Sequence, residues 1–282
     1  MAVESGAVIE CEEPGYLRLA AWVEQGIPHA FSTRKGGVSR PPFASLNLSL
    51  STGDDPEAVW ENRRRFFGAF GFAPEQPVRV RQVHGASVLV VDEALARREG
   101  FPRLLLDDDY RYDALVTDRP GLPLTVGTAD CLPIFLYDPV RPAVAALHAG
   151  WRGTVARIVE ETIRTMQDRY GSDPATLIAA FGPGILGCCY EVDRPVIEPL
   201  AQAVLGWESC VEPAGGDRWN LDLAAVNRIL LGEAGLGPDR ILDTGLCTAC
   251  RKDRFYSYRA EGPRTGRMMS WIALPAEQPS GR

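Results

Sequence analysis

Apolar and polar residues alternate along Val78-Arg79-Val80-Arg81-Gln82-Val83, the period of two expected of a strand with one buried face. His84-Gly85-Ala86 then reads as a tight connection, and residues 87–91 resume as a second strand. Residues 114–117, 122–126, 132–137, 143–147 and 177–180 are further strand-like runs. Several are apolar on both faces, which predicts burial between layers. A helical period takes over in residues 154–170, where Val155, Ile158, Val159, Thr162, Ile163 and Met166 share one face and Gly171 ends the pattern. Residues 56–70 form a second helix, opened by Asp54-Asp55 and stopped by Gly71. Residues 195–205 and 221–234 are two more, the latter with Asp222 near its start. Strands in the majority, with helices among them, predict an α+β protein built of packed layers.

No fixed-period repeat and no low-complexity linker divides the 282 residues, so residues 1–282 read as a single domain. Its core is expected over about 15–274, with loose ends in the acidic start (Glu4, Glu10, Glu12, Glu13) and in residues 275–282. The net charge of −7, with no basic tract longer than Arg63-Arg64-Arg65, argues against a nucleic-acid polymer as partner and leaves single nucleosides or nucleotides open. No run approaches the roughly 18 apolar residues of a membrane span. The start has neither the basic nor the apolar region of a secretory signal, so a cytoplasmic protein is expected. Its seven cysteines, an odd number, then favour reduced thiols or metal ligands over a disulfide framework.

Candidate chemistry concentrates at three positions. His84 and His148, two of only three histidines, sit in glycine-flanked turns beside strand-like runs. Cys131 lies between two apolar runs in Thr128-Ala129-Asp130-Cys131-Leu132-Pro133. Imidazole and thiolate are ligands that zinc prefers, and three of them leave a fourth position open to water, as in catalytic sites. The intervals fit no local metal motif and a cysteine among apolar residues is ordinarily core, so residue types alone leave both readings open.

Other segments carry weaker signals. In His148-Ala149-Gly150-Trp151-Arg152-Gly153-Thr154 a strand turns through small residues into an amphipathic helix. The helix N-terminus would attract an anion, with Arg152 adding bidentate contacts; an ordinary turn with an exposed arginine fits equally well. Arg34 and Lys35 precede Gly36-Gly37 in a loop that is either cationic by design or simply a surface turn. Asn47, between Leu46 and Leu48, and Arg63 on the following helix are polar groups aimed into a pocket or serving surface and capping roles. Cys247-Thr248-Ala249-Cys250 is a lone CxxC, and vicinal Cys188-Cys189 would complete a structural zinc site only awkwardly. These four are expected to be reduced, mostly structural thiols.

Taken in order, several of these motifs resemble one family. Phe31-Ser32-Thr33-Arg34, Gly36-Gly37-Val38-Ser39, Leu46-Asn47-Leu48 and Gln82-Val83-His84-Gly85 come first. The cysteine and Trp151 motifs follow, then Tyr190-Glu191-Val192, Phe255-Tyr256-Ser257-Tyr258-Arg259 and Thr265-Gly266-Arg267. Over about residues 28–272 this pattern resembles the laccase-domain family, first called multicopper polyphenol oxidoreductases and now described as purine nucleoside phosphorylases. The resemblance implies an α/β/β/α sandwich with mixed sheets and a metal held by His84, Cys131 and His148. It also implies phosphorolysis of adenosine, inosine and S-methyl-5′-thioadenosine, deamination of adenosine, and polar groups near the metal at Asn47 and Arg63. Gly184 departs from relatives that carry cysteine there, outside the metal trio.

Counting ligands tests the older label. A blue-copper centre uses two histidines and a cysteine, leaving one histidine for any further copper cluster. Zinc is therefore the expected cofactor, and copper enters the same site only adventitiously. The position two residues after His84 is Ala86, so the His-x-Glu pattern of nucleobase deaminases is missing. For phosphorolysis, Arg34, Arg63 and Arg152 are candidate contacts to phosphate or ribose, and Asp130 is a candidate to orient a ligand or shuttle a proton. Expected partners are a purine nucleoside and phosphate, with the protein a monomer or homodimer. Two alternatives stand beside this reading. One is polyphenol oxidation with copper, and the other is a cysteine-type hydrolase with Cys131 as nucleophile, editing peptidoglycan precursors.

Overall fold

A computed structural model describes residues 6–106 and 109–276. Strands β1 (Val8–Glu12), β2 (Gly15–Leu19), β3 (His29–Ser32), β4 (Val88–Val90) and β5 (Ala114–Thr117) come first. They are followed by β6 (Leu124–Thr128), β7 (Leu132–Asp138), β8 (Ala143–Ala149), β9 (Ile178–Phe181) and β10 (Glu191–Asp193). Strands β11 (Val211–Pro213), β12 (Arg218–Leu221), β13 (Ile241–Asp243) and β14 (Met268–Ile272) close the series. The helices are α1 (Ala20–Glu24), α2 (Pro56–Gly68), α3 (Glu93–Ala96), α4 (Trp151–Val155) and α5 (Ile158–Tyr170). Later come α6 (Arg194–Ala203), α7 (Leu223–Glu233) and α8 (Tyr258–Glu261).

Two large sheets form the centre. One is antiparallel in the order β1-β2-β3-β14-β6; the other is mixed, β13-β9-β7-β8-β5-β4, with parallel pairs at both edges. Their facing sides bury Leu17, Phe31, Val126 and Ile272 against Leu115, Phe135, Val144 and Ala180. Phe31 and Phe135 stack across that interface with ring centroids 5.0 Å apart. The outer side of the mixed sheet, including Ile134, Leu136 and Ala145, packs on Ile158, Val159, Ile163 and Met166 of α5 and on α7. On the opposite outer side, Phe66 and Phe67 of α2 cover Ala30, Met269 and Trp271. This is the α/β/β/α order expected. It explains why β5, β7 and β8 are apolar at successive positions: each faces a sheet on one side and a helix on the other. A small sheet, β10-β12-β11, joins α6 and α7 around a cluster of Val192, Leu200, Leu221 and Leu230.

Three segments depart from their sequence pattern. Residues 78–83 are extended but make only isolated bridges, Val78 to Leu124 and Arg81 to Arg111. Gln82 takes the place of a ladder partner: its side-chain amide donates to Gly127 O (2.9 Å) and accepts from Gly127 N (2.8 Å). The helix expected from residue 154 is two, because Arg157 adopts φ 62 between α4 and α5. Its guanidinium leaves the helix path to donate to Ala203 O (2.6 Å) and to pair with Glu160 and Glu233. Finally, part of the acidic start is ordered, since β1 pairs along its length with β2.

Candidate metal centre

The mixed sheet sets the site by register. Leu132 pairs with Ala149 and Pro133 with His148, so Cys131, just before β7, comes beside the end of β8. His84 reaches the same sheet end from the turn after residues 78–83. Its backbone has φ 60, and Asp130 beside the cysteine has φ 90, two of three non-glycine residues with positive φ among those described. Such left-handed conformations are disfavoured with a Cβ and persist where surrounding contacts hold them.

For His84 those contacts converge on Asp113, a buried residue just ahead of β5. Its Oδ1 accepts from His84 N (3.0 Å) and lies 2.8 Å from His148 Nδ1, while Oδ2 accepts from Gly85 N (2.7 Å) and Val83 N (3.2 Å). One carboxylate therefore fixes the turn carrying His84 and the ring of His148. Burial disfavours its charge, but the bonds from His148 and the Gly85 amide outweigh this and hold Asp113 below the usual carboxylate range.

The ligand atoms of His84, Cys131 and His148 all lie within 4.8 Å of one another. His84 is exposed, Cys131 half-buried and His148 buried, so the cluster opens to solvent on one side. With Nδ1 of His148 committed to Asp113, Nε2 is the atom left for Cys131, a histidine–carboxylate arrangement common behind metal ligands. Burial alone would raise the Cys131 thiol, yet His148 and His84 bring it down to about 6. Burial would likewise lower His148, but the Cys131 sulfur and Asp113 hold it up at about 9. An ionised sulfur and two convergent imidazoles are a donor set that fits zinc. Gly150 completes the cradle: a Cβ there would stand 2.9 Å from Cys131 Sγ and 3.2 Å from His84 Nδ1. Gly150→Ala is expected to weaken zinc binding about tenfold or more, read by competition with a chromogenic chelator. Unchanged affinity would show that the cradle yields.

Around the cluster stand cations and aromatic rings. Burial raises Tyr190 to about 12, with Cys131 and Asp130 adding to the shift and Arg259 and Arg152 opposing it. Arg267 is lowered by burial against the pull of Cys131, Asp130 and Tyr258. These interactions place Arg152, Arg259, Arg267, Tyr190 and Tyr258 within electrostatic reach of the sulfur or of one another. The Arg259 guanidinium lies over the Tyr190 ring at 5.1 Å, and Arg152 over Trp151 at 4.4 Å. A groove of about 840 Å3 elsewhere, lined by Asp54, Asp55, Glu57 and Glu61 among others, shares no residue with this site and is the wrong charge for an anion.

The other sequence candidates take defined places. Asp130 is held on both oxygens, Oδ1 accepting from Thr248 Oγ1 (2.6 Å) and Oδ2 from Arg259 N (2.7 Å). This arrangement fixes the loop that presents Cys131. Asn47 is buried, donating to Asp54 and Thr52 and accepting from Arg267 N at 2.9 Å, so it shapes the strand that delivers Arg267. Arg63 is buried with Nε donating to Leu48 O (2.8 Å), while Nη1 finds no partner among the described residues. Burial and the neighbouring Arg79 bring Arg63 down to about 9. Arg34 spends its guanidinium on Ala44 O, Lys252 O and Glu261, a clamp between loops. Arg152 stays exposed beside the cluster, at the start of a helix of only five residues. Sequence reasoning assigned no role to Asp113, Gly150, Tyr190, Arg259 or Arg267. Asp113 carries no local signature beyond an acid directly before a buried strand.

A four-layer sandwich with a solvent-open His2Cys centre at one sheet end defines the class. Residues 28–275 match the family described as multi-copper polyphenol oxidoreductase laccase, and the chain belongs to that family. A purine nucleoside phosphorylase of Deinococcus radiodurans is 44% identical over 252 residues, covering 89% of this chain and 91% of that protein. The purine nucleoside phosphorylase YfiH of Escherichia coli is 38% identical over 89% of the chain and 95% of its own length. The crystal structure of YlmD from Geobacillus stearothermophilus superimposes with a TM-score of 0.87 at 34% identity, covering 95% of this chain and all of that one.

Proposed function

We propose that the protein is a zinc-dependent purine nucleoside phosphorylase acting on adenosine, inosine and S-methyl-5′-thioadenosine, with a side activity that deaminates adenosine. The observation that carries this reading is the solvent-open triad of His84, Cys131 and His148, with Tyr190 and Arg267 within electrostatic reach of its sulfur and Arg152 and Arg259 within reach of Tyr190. The names carried by the relatives agree with it. In phosphorolysis phosphate forms a bond to C1′ of the ribose as the bond to the purine nitrogen breaks, through a sugar with oxocarbenium character. Arg152, Arg259 and Arg267 supply the positive charge that binds and orients phosphate beside the nucleoside. Tyr190, kept protonated at neutral pH, offers an aromatic face to the base and a hydroxyl donor. His84, Cys131 and His148 would hold a zinc ion, which would supply Lewis acidity and lower the pKa of a water at the open position. Asp113 holds His148 in one tautomer, and Asp130 fixes the Cys131 loop. In deamination the oxygen of water forms a bond to C6 of the purine as the C6–N bond breaks, so adenosine becomes inosine and the amino group leaves as ammonia.

The test is product analysis with adenosine on protein of known zinc content. Adenine and ribose 1-phosphate are expected only when phosphate is present, with some inosine in either case, and all three products should vanish in Cys131→Ala. Adenine release that does not depend on phosphate, or nucleosides left untouched, overturns the reading. A second reading has its own observation: a thiol lowered to about 6 beside an imidazole raised to about 9 is the pairing of a cysteine nucleophile and its base. Metal-free protein that hydrolyses a nucleotide-linked muramyl amino acid, and loses that activity on thiol alkylation, would favour it.

A further inference from the structure

The four cysteines left as structural thiols lie together. Cys188 and Cys189 follow β9 in the loop before β10, while Cys247 and Cys250 follow β13; β9 and β13 are adjacent parallel strands, so both loops emerge at the same sheet end. The Cys250 sulfur is 3.5 Å from that of Cys188 and 3.3 Å from that of Cys189, and all four sulfurs lie within 4.8 Å of one another. All are free thiols. Four sulfurs at 2.3 Å from one zinc would be about 3.8 Å apart at the corners of a tetrahedron, a value inside the observed spread. The awkwardness of a vicinal pair disappears because the bridge from Gly184 to Cys247 brings the CxxC loop alongside.

We propose that Cys188, Cys189, Cys247 and Cys250 form a second, structural zinc site with four thiolate ligands, separate from the His84–Cys131–His148 centre. Thiols crowded this closely ionise together only around a cation, and binding one releases their protons to water. With Cys188 and Cys250 exposed, the ion has a path of entry, and partial burial of the rest suits a closed structural site.

The second zinc would bind the two loops that hold Asp130. Ile185 N donates to Asp130 O (2.8 Å), and Thr248, inside the CxxC, donates to Asp130 Oδ1 (2.6 Å). The tetrathiolate site thereby braces the residue next to Cys131 and acts as a positioning element for the first centre.

The test uses the full chain with the first centre removed. Cys131→Ala/His148→Ala protein is expected to retain about one zinc per chain by elemental analysis. The X-ray absorption of that zinc should show four sulfur neighbours at about 2.3 Å. Adding Cys188→Ser/Cys250→Ser should abolish it. Cobalt(II) offered to the wild-type protein should give sulfur-to-metal charge-transfer bands that persist in the first double variant, a readout that needs no folded quadruple variant. Zinc-free Cys131→Ala/His148→Ala protein, a zinc with nitrogen or oxygen neighbours, or disulfides between the two loops in protein isolated without reductant would each overturn the proposal. None of these readouts depends on nucleoside turnover, so the phosphorylase reading stands or falls separately.

Discussion

Asp113→Asn is expected to lower zinc affinity at the His84–Cys131–His148 centre by roughly 10- to 100-fold, the usual effect of losing a carboxylate behind a histidine ligand. The reason lies in donor count. Four donors converge on the two carboxylate oxygens: three backbone amides from residues 83–85 and the ring of His148. An asparagine side chain keeps one oxygen and turns an NH2 group toward at least one of those donors. Either the turn carrying His84 loses its anchor or His148 must change tautomer, and in both cases the ligand atoms leave their positions. Because Asp113 is buried and ionised beside His148, the same change should also remove about 3–5 kcal/mol of folding stability. Chelator competition reads the first effect and denaturant unfolding of the metal-stripped protein the second. Asp113→Asn protein with wild-type zinc affinity would mean that the two histidines are positioned by something else.

The third histidine should dominate the acid sensitivity of the fold. His29 is fully buried in β3, its Nδ1 lying 2.8 Å from Ile27 O and its Nε2 accepting from Leu19 N at 2.8 Å. The ring is thus neutral, with its proton on Nδ1. A second proton would sit on Nε2 against an N–H group. Burial, with help from the charge of Arg18, depresses His29 from 6.5 to about 4. The unfolded chain accepts that proton more readily than the folded one, so stability is complete above pH 6.5 and drains away as pH falls from 6.5 to 4. The difference corresponds to about 3 kcal/mol lost across that window. His29→Gln keeps a donor and an acceptor but does not titrate, so its stability should fall by about 3 kcal/mol less between pH 7 and pH 4. Urea unfolding of both proteins in chelator, which removes the contribution of bound metal, makes the comparison. Equal acid losses in the two proteins would place the sensitivity elsewhere.

Much of the layered fold is written into local pattern. Runs apolar at every position, as in β7 and β8, are what a strand between a sheet and a helix must be, and the structure uses Phe135 on one side and Ile134 and Leu136 on the other. The stop of a helix is legible as well: the one ended by Gly171 at φ 69 stops where its periodicity does. Where the pattern misled, a long-range partner intervened. The alternation of residues 78–83 is real, but Gln82 bonds Gly127 through its side chain, and the ladder never forms. The helix break at Arg157 reflects acceptors in α6 and α7 that no local window contains.

The metal centre divides in the same way. Residue chemistry and the ordered motifs pointed to His84, Cys131 and His148 as a donor set of the kind zinc takes, because ligand preference belongs to the side chain itself. Only the tertiary structure decided that they meet, since the meeting depends on the register of β7 against β8 and on one carboxylate, Asp113, whose neighbours in sequence give no hint of its partners. It also separated Arg34, locked to Glu261, from Arg152, which is exposed with its guanidinium over Trp151. And it turned Cys188, Cys189, Cys247 and Cys250 from two unremarkable pairs into one group, because parallel neighbours β9 and β13 deliver both loops to the same end of the sheet. Side-chain chemistry is local and legible in sequence; proximity between distant segments is a property of the packed layers alone.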